Sequence, residues 1–298
     1  MDAQAFYSVF IKDWPQTPLS FYDGVYFKCE FCNVTGSIKS RGVCWQIYEL
    51  LKAGINEIVV SSSGNAGVAY AYYCQKAGII CHVFVPKSID PIRLSRMQKI
   101  TDTITVTDNT MHSAAVFATT KKVPYIQQST DSMATYGYQG LYDELAEQLK
   151  VDDINLYDTS VFFPVSSGTT VEGFYRGSLE STPQKLPQIH IVQSQSVHPL
   201  AQEFDQRVKR KARSVVSGIV SRASDRAEVV LGAVRESKGS GWVIVDDGVL
   251  AAHQRLVAMF QDKPQSTISL EGALAYAGYL KAKERGFDLR PHSIVMLT

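Results

Sequence analysis

From Glu57 onward, short runs rich in Val, Ile and aromatic residues alternate with longer segments whose apolar residues recur at helical spacing. The clearest pairs of strand and helix patterns are EIVVSS with AGVAYAYYCQKAG, IICHVFVP with DPIRLSRMQKI, TITVT with MHSAAVFATTKK, SVFFPV with TVEGFYRGSLE, and IHIVQSQ with HPLAQEFDQRV. Repeated strand–helix units of this kind place parallel strands beneath helices. The pattern therefore predicts an α/β fold whose largely parallel, twisted sheets are flanked by helices on both faces.

The length of 298 residues exceeds what one hydrophobic core usually serves. We therefore expect two lobes: a smaller α/β domain over residues 43–140, inserted into a larger α/β domain made of residues 1–42 and 141–298. In open α/β sheets, ligands bind at the carboxyl ends of the strands. The loops that lead from a strand into a helix are consequently the places where chemistry is expected.

Composition and charge argue against several classes of function. The net charge of +1 and the 20% of charged residues give no field suited to nucleic acid or to an anionic membrane. The basic run Arg207–Arg213 is interpreted as a solvated helix face or loop. No signal peptide is recognisable and no apolar stretch is long enough to span a bilayer. We expect a cytoplasmic protein without nucleic-acid or membrane partners.

Five cysteines suit a reducing compartment and do not suggest a disulfide framework. Cys29 and Cys32 form a CxxC pair, but no second pair of Cys or His follows at the spacing that a zinc site needs. A redox pair stays open as an alternative, whereas two structural thiols are the favoured interpretation. No metal site is predicted.

A single lysine, Lys39, lies in the loop NVTGSIKSRG directly before a helical pattern. With Ser37 as the N-cap, Lys39 falls in the first helical turn, where the helix dipole and any burial favour the neutral amine. A neutral amine is what a Schiff-base nucleophile requires. The alternative is an ordinary surface lysine.

Two further loops, each between a strand and a helix, are rich in hydroxyl groups. In the first, Ser62, Ser63, Gly64 and Asn65 offer N–H, O–H and amide donors to an anion such as a carboxylate; the alternative is a serine-capped turn. In the second, PVSSGTT, the donors suit a phosphate, and neither a Walker loop nor GxGxxG is present. A Schiff-base lysine, a carboxylate loop and a phosphate loop together indicate a pyridoxal phosphate enzyme acting on an amino acid.

These segments resemble a known family. KCEFCNVTGSIKSRG resembles the KxExxNPTGSxKDRG segment of fold type II pyridoxal phosphate enzymes, especially threonine synthases, and SSGNAGVAYAYYCQKAG resembles their SSGNxxxAxAxYxxxAG. FFPVSSGTTVEGFYRG is similar to the phosphate loop xVxVGSGGTxxGxxKG, and VMLT to the closing strand VxxLTG. The matches are collinear over nearly the whole chain. The same superfamily includes tryptophan synthase β, cysteine synthase and the serine and threonine dehydratases.

The resemblance implies a two-lobe fold type II architecture and a role for each matching residue. Lys39 would hold the cofactor as an internal aldimine and then move the Cα proton. Thr298 would face the pyridine nitrogen, leaving it largely unprotonated. The remaining implied roles are the ring hydroxyl for Asn65, the cofactor phosphate for Ser166, Ser167, Gly168, Thr169 and Thr170, and the substrate carboxylate for Ser62, Ser63, Gly64 and Asn65.

The family implies elimination at a β or γ carbon. The favoured activity is threonine synthase-like, converting O-phosphohomoserine to threonine and phosphate. The alternative within enzymes is β-elimination or β-replacement on serine, threonine or an O-activated serine. Departures from the family pattern at Val34, Ser40 and Ser269–Gly278 motivate a third hypothesis, a catalytically silent cofactor-binding paralogue acting through a protein partner. Relatives are mostly dimers, so a homodimer is expected.

Overall fold

The computed structural model describes residues 1–89, 91–101, 103–182, 185–261 and 268–298. The strands are β1 (Leu19–Tyr22), β2 (Val25–Cys29), β3 (Glu57–Ser61), β4 (Ile80–Pro86), β5 (Ile104–Thr107), β6 (Tyr125–Ile126), β7 (Thr159–Pro164), β8 (Gln188–Ser194), β9 (Gly241–Ile244) and β10 (His292–Leu297). The α-helices are α1 (Ala3–Phe10), α2 (Lys39–Lys52), α3 (Asn65–Ala77), α4 (Pro91–Gln98), α5 (Thr110–Lys121), α6 (Met133–Leu149), α7 (Thr169–Ser181), α8 (Ala227–Glu236), α9 (Asp246–Met259) and α10 (Leu270–Glu284).

The chain divides into two compact units. The first unit comprises Met1–Pro15 and Asn33–Gly137, and the second comprises Gln16–Cys32 and Tyr138–Thr298. The predicted domains placed residues 1–42 in the larger part, whereas this division assigns Lys39 to the first unit. One physical reason is that Phe6 of α1 is fully buried in the same apolar cluster as Val43 and Ile47 of α2.

The first unit is built on a parallel sheet with strand order β5-β4-β3-β6. The middle of the inner strand β3, residues 58–60, is apolar and buried, as expected for a parallel strand covered on both faces. Since successive side chains point to opposite faces, Ile58 and Val60 pack with α1, α2 and α3, while Val59 packs with Ala114 and Ala118 of α5. The helices therefore cover both faces of this sheet.

The second unit is built on a sheet with strand order β1-β2-β10-β7-β8-β9. Only the β1–β2 pair is antiparallel among the described strands, and the register of the others is parallel. Helix α10 packs so closely on the sheet that a Cβ added at Gly278 would lie 2.4 Å from Val192 Cγ2. The predicted α/β fold with largely parallel sheets flanked by helices is confirmed.

One predicted helix is absent. The segment HPLAQEFDQRV contains only a 3₁₀ turn at Ala201–Glu203. Its polar groups are engaged by tertiary contacts instead: Gln193 Oε1 accepts hydrogen bonds from the N–H groups of Leu200 and Ala201, both at 2.9 Å. Asp205 forms ion pairs with Lys281 and Arg285 of the α10 region. These long-range partners outweigh the local helical pattern. None of the described helices is long and apolar enough to cross a membrane.

Candidate functional site

Lys39 is the first residue of α2. The N-cap is Ile38 rather than the predicted Ser37, and it makes no capping hydrogen bond through its side chain; the Ser37 hydroxyl instead accepts from the Lys39 N–H at 3.3 Å. Lys39 is half-buried, and among the described residues its amine has no hydrogen bond or ion pair. Burial lowers the pKa of Lys39 from 10.5 to about 8, and the positive end of the α2 dipole acts in the same direction.

The loop before Lys39 is held by its own hydroxyl groups. The Ser40 hydroxyl is fully buried and lies 2.5 Å from the Thr35 hydroxyl, which explains why a serine suits this position. Gly36 has φ +81°, a left-handed conformation that favours glycine. The loop therefore fixes the start of α2, and with it Lys39, through short-range contacts.

The serine-rich turn joins β3, which ends at Ser61, to α3, which begins at Asn65. The Ser62 hydroxyl accepts from the Gly67 N–H at 3.0 Å, and a Cβ added at Gly67 would lie 2.2 Å from the Ser62 carbonyl oxygen, so only glycine fits. The N-cap Gly64 offers no side chain to the helix N–H groups. Within the described part of the chain, the side chains of Ser63 and Asn65 make no hydrogen bond. These donors remain available to an anion.

Within the first unit, two consecutive residues of α4 approach the loop before Lys39 and the start of α3. Arg96 Nη2 is 3.4 Å from where a Cβ of Gly36 would be, and Met97 Cε is 2.9 Å from the corresponding position at Gly67. Arg96 is exposed. An exposed cation on α4 thus lies beside the loop that precedes Lys39.

The phosphate-type loop of the second unit joins β7, which ends at Pro164, to α7, which begins at Thr169. Gly168 is the N-cap with φ +90°, and it leaves the helix start without a side-chain cap. A Cβ added there would lie 2.7 Å from Val230 Cγ2. The Ser167 hydroxyl is 2.9 Å from that of Thr169, and Thr170 is half-buried in the first turn. The uncapped N-terminus of a thirteen-residue helix is suited to an anion.

The Ser166 hydroxyl has an unusual set of partners. Its oxygen accepts from the N–H groups of Val220 at 3.1 Å and Ser221 at 3.2 Å, and it lies 3.0 Å from the Ser221 hydroxyl. A serine hydroxyl has two acceptor lone pairs and one donor proton. Because both lone pairs are taken by backbone N–H groups, Ser166 is left with only a proton to donate.

Val220 and Ser221 contact the loop directly, although neither is among the predicted site residues. They belong to a stretch in which Ser214, Ser217, Ser221 and Ser224 recur every three or four residues. Since Val216, Ile219, Val220 and Ala223 recur at the same spacing, the stretch has the pattern of an amphipathic helix, and its sequence carries no signal of a contact with the loop.

A buried carboxylate lies in the first turn of α7. Glu172 would oppose an anion at the helix N-terminus, but it is ion-paired with Arg226 and, at 2.8 Å, with Arg176. Arg226 is itself buried. The two guanidinium groups compensate the carboxylate charge close to the loop.

Thr298 follows β10, which is parallel to and paired with both β2 and β7. It therefore lies at the same carboxyl edge of the sheet as the Ser166 loop. Ser269 holds this end of the chain: its hydroxyl donates to the Thr298 carbonyl oxygen and accepts from the Gly272 N–H at 2.9 Å. The segment Ser269–Gly278, which differs from the family pattern, thus forms the start of α10, and its first residue anchors Thr298.

The predicted site residues fall into two groups by unit. Lys39 and Ser62–Asn65 lie in the first unit, whereas Ser166–Thr170 and Thr298 lie in the second. Among the residues that the structure describes, no group of His, Cys, Asp and Glu is arranged to hold a metal ion. Cys29 is buried and Cys32 is exposed, and both are free thiols.

Comparisons with known proteins agree on one family for the chain. A family model described as pyridoxal-phosphate dependent enzyme matches residues 14–296. The threonine synthase of Methanosarcina acetivorans is 25% identical over 290 residues, covering 92% of this chain and 69% of that protein. An L-serine dehydratase of Saccharomyces cerevisiae is 30% identical over 147 residues, or 44% of each chain. The structure of a pyridoxal 5'-phosphate-dependent aspartate racemase superposes with a TM-score of 0.81 at 20% identity, covering 99% of this chain and 93% of the other; this likeness shows the fold.

Proposed function

Since this chain belongs to the family of pyridoxal-phosphate dependent enzymes, we propose that it is a lyase or synthase of the threonine synthase type, converting O-phosphohomoserine to threonine and phosphate. Its cofactor is pyridoxal 5'-phosphate, and its chemistry is threonine synthase-like or serine/threonine dehydratase-like. The observation that favours the threonine synthase type is the share of this chain that aligns with each relative. The archaeal threonine synthase aligns with nearly the whole chain, and the yeast dehydratase with less than half of it.

The donor groups of this chain fit the cofactor. The Lys39 amine is half-buried and has a pKa of about 8, so about a tenth of it is neutral at pH 7, roughly two hundred times the fraction for an unperturbed lysine. The neutral amine is the form that attachment to an aldehyde requires. The Ser166 hydroxyl oxygen accepts from two backbone N–H groups, so its proton is what it can offer a phosphate oxygen, in place of the Ser221 hydroxyl oxygen 3.0 Å away. The glycine at position 168 lets the backbone approach an anion closely.

We propose the following roles for the chain's own residues. The cofactor would be held by Lys39, Asn65, Ser166, Ser167, Gly168, Thr169, Thr170 and Thr298. When bound, pyridoxal phosphate withdraws electrons from the substrate Cα. Lys39 Nζ would take the Cα proton and return it, as a general base and then acid with a pKa near the working pH. The substrate carboxylate would be bound by the N–H and O–H donors of Ser62, Ser63, Gly64 and Asn65.

Attachment at Lys39 is the first test. We expect purified protein loaded with pyridoxal phosphate to be yellow, and borohydride reduction followed by peptide mass spectrometry to find the cofactor on Lys39. Lys39→Ala abolishes this label. Lys87→Ala is the matched control, since the Lys87 side chain is 68% exposed and pairs only with Asp108 among the described residues. Label on another lysine in wild-type protein contradicts the proposal.

A substrate panel separates the enzyme types. O-phosphohomoserine giving threonine and phosphate supports the threonine synthase type. Serine or threonine giving pyruvate or 2-oxobutyrate supports a dehydratase, the alternative that the 30% identity to the yeast L-serine dehydratase favours. A loaded protein that turns over none of these, nor O-activated serines, supports the silent paralogue acting through a protein partner.

We also propose a homodimer in the cytoplasm. All five cysteines are free thiols, which is typical of a reducing compartment. Sedimentation equilibrium measures the oligomeric state, and a monomer at micromolar concentration contradicts the dimer.

A further inference from the structure

The segment Ser214–Arg226, called here the 214–226 segment, has little regular structure and is fastened at its start by acidic side chains. Asp246 Oδ1 accepts from the Ser214 hydroxyl at 2.5 Å and from the Val215 N–H at 3.2 Å. Glu271 Oε1, which is buried, accepts from the Gly218 N–H at 2.7 Å. Gly218 approaches so closely that a Cβ there would lie 2.5 Å from this oxygen. The start of the segment is thereby tied to α9 and α10.

The second half of the same segment contacts the Ser166 loop residue by residue. Val220 and Ser221 bind the Ser166 hydroxyl through their N–H groups. The Ser224 hydroxyl donates to the Ser167 carbonyl oxygen at 2.5 Å. At the end of the segment, Arg226 forms the buried ion pair with Glu172 of α7. The loop is thus held by hydrogen bonds from residues more than fifty positions further along the chain.

These contacts restrict the side chains of the Ser166 loop, which the loop's own sequence does not do. The loop has one glycine, Gly168, and its other residues carry side chains whose rotation has to be restricted before an anion can bind well. The N–H groups of Val220 and Ser221 occupy the lone pairs of Ser166, which leaves its proton to the Ser221 hydroxyl oxygen at 3.0 Å or to an anion bound in its place. The bond from Ser224 fixes the peptide of Ser167. Preorganised donors bind an anion without first having to be ordered.

Resting on the proposed function, we propose that the 214–226 segment is a clamp that preorganises the cofactor-phosphate loop, with Ser221 and Ser224 as positioning residues. Bound cofactor phosphate, held by Ser166 and its neighbours, in turn holds the segment in place. Cofactor affinity and the order of this segment are therefore coupled.

The first measurement is cofactor affinity, by titrating apoprotein with pyridoxal phosphate and following absorbance. Ser221→Ala/Ser224→Ala keeps the backbone N–H groups but removes the two hydroxyls that bond to the Ser166 hydroxyl and to the Ser167 carbonyl oxygen, and is expected to weaken binding about tenfold or more. Ser217→Ala is the matched control, because Ser217 is exposed in the same segment and makes no hydrogen bond among the described residues. Ser221→Thr, which keeps the hydroxyl, is expected to bind as the wild type does. Unchanged affinity in the double variant overturns the clamp.

The second measurement uses wild-type protein alone, so it does not depend on a variant folding. Arg222 is an exposed trypsin site inside the segment, and Lys209 is an exposed site in the preceding basic run. Saturating pyridoxal phosphate is expected to slow cleavage after Arg222 at least several-fold and to leave cleavage after Lys209 unchanged. Equal cleavage at Arg222 with and without cofactor overturns the coupling. Wild-type protein that binds no pyridoxal phosphate overturns the proposed function itself.

Discussion

The chemistry of Lys39 follows from where its amine lies. Lys39 is the first residue of α2 and is half-buried, and its amine has no hydrogen bond or ion pair among the residues that the structure describes. Burial and the helix dipole both destabilise the ammonium relative to the amine. A cation at the positive end of a helix is unfavourable for stability, and this position is explained if the neutral amine is the form that functions.

The pH dependence of cofactor attachment tests this explanation. Only the neutral amine attacks an aldehyde, and a pKa of about 8 makes it the major form above pH 8. The rate at which apoprotein is loaded is expected to rise from pH 6.5 to 9 with a midpoint near 8 and then level off, as followed by stopped-flow absorbance. An exposed lysine, with a pKa of about 10.4, would still be rising there. A rate that continues to rise tenfold per pH unit up to pH 10 contradicts the lowered pKa.

Gly168 is a second residue whose identity is dictated locally. At φ +90°, with Val230 2.7 Å from where a Cβ would be, Gly168→Ala is expected to destabilise the fold by about 1–3 kcal/mol. It should also weaken pyridoxal phosphate binding more than tenfold, since it displaces the start of α7. Urea unfolding and cofactor titration measure the two effects. Gly232→Ala is the control: it lies within α8 with nothing within 4 Å, so it should be neutral or stabilising.

At the scale of elements, strand β8 shows how a polar residue is accommodated in a parallel strand. Every residue of β8 is buried. His190 stacks on Phe162 with ring centroids 4.3 Å apart, and its Nδ1 accepts from Ser240 N–H and Trp242 Nε1–H, both at 3.2 Å. A ring nitrogen that accepts two hydrogen bonds has to be unprotonated. Burial lowers the pKa of His190 to about 3.

Because of His190, the free energy of unfolding should decrease as the pH is lowered. The pKa of His190 in the folded state lies below its unfolded value of about 6.5, so the unfolded state binds more protons. The contribution of His190 to the free energy of unfolding is therefore fully present above pH 6.5 and is lost as the pH falls toward 3. Between pH 6.5 and 5 the loss is about 2 kcal/mol. Urea unfolding at pH 7.5 and 5 measures it, and the difference should shrink in His190→Gln but persist in the exposed-site control His112→Gln. Equal pH dependence in all three proteins would argue against a buried neutral imidazole.

At the scale of the whole molecule, the cofactor should act as a stabilising ligand. Anything that binds only the folded chain stabilises it by mass action, about 2.7 kcal/mol at a hundredfold excess over Kd. Saturating pyridoxal phosphate is therefore expected to raise the Tm by several degrees, as measured by differential scanning fluorimetry. Lys39→Ala should retain a smaller shift, because the phosphate donors remain but the covalent link is lost. No shift in wild-type protein contradicts binding of this cofactor.

The places of two loops of the candidate site could be predicted because each loop is contiguous in sequence. Ser61–Asn65 and Pro164–Thr170 each join a strand to a helix within a few residues, so the local pattern was enough to place them at strand carboxyl ends. The helix predicted over HPLAQEFDQRV was wrong, since Gln193, Lys281 and Arg285 compete for that segment's polar groups from elsewhere in the chain.

The sequence alone determined the parallel α/β architecture, the lysine at a helix start and the polar groups that each loop carries, because these depend on neighbours a few residues apart. Only the tertiary structure decided that Met1–Pro15 packs with the unit that holds Lys39, that α10 anchors Thr298, and that Val220 and Ser221 make Ser166 a donor. Those contacts join residues dozens of positions apart. Long-range packing selects these contacts, and the spacing of residues along the sequence does not encode them.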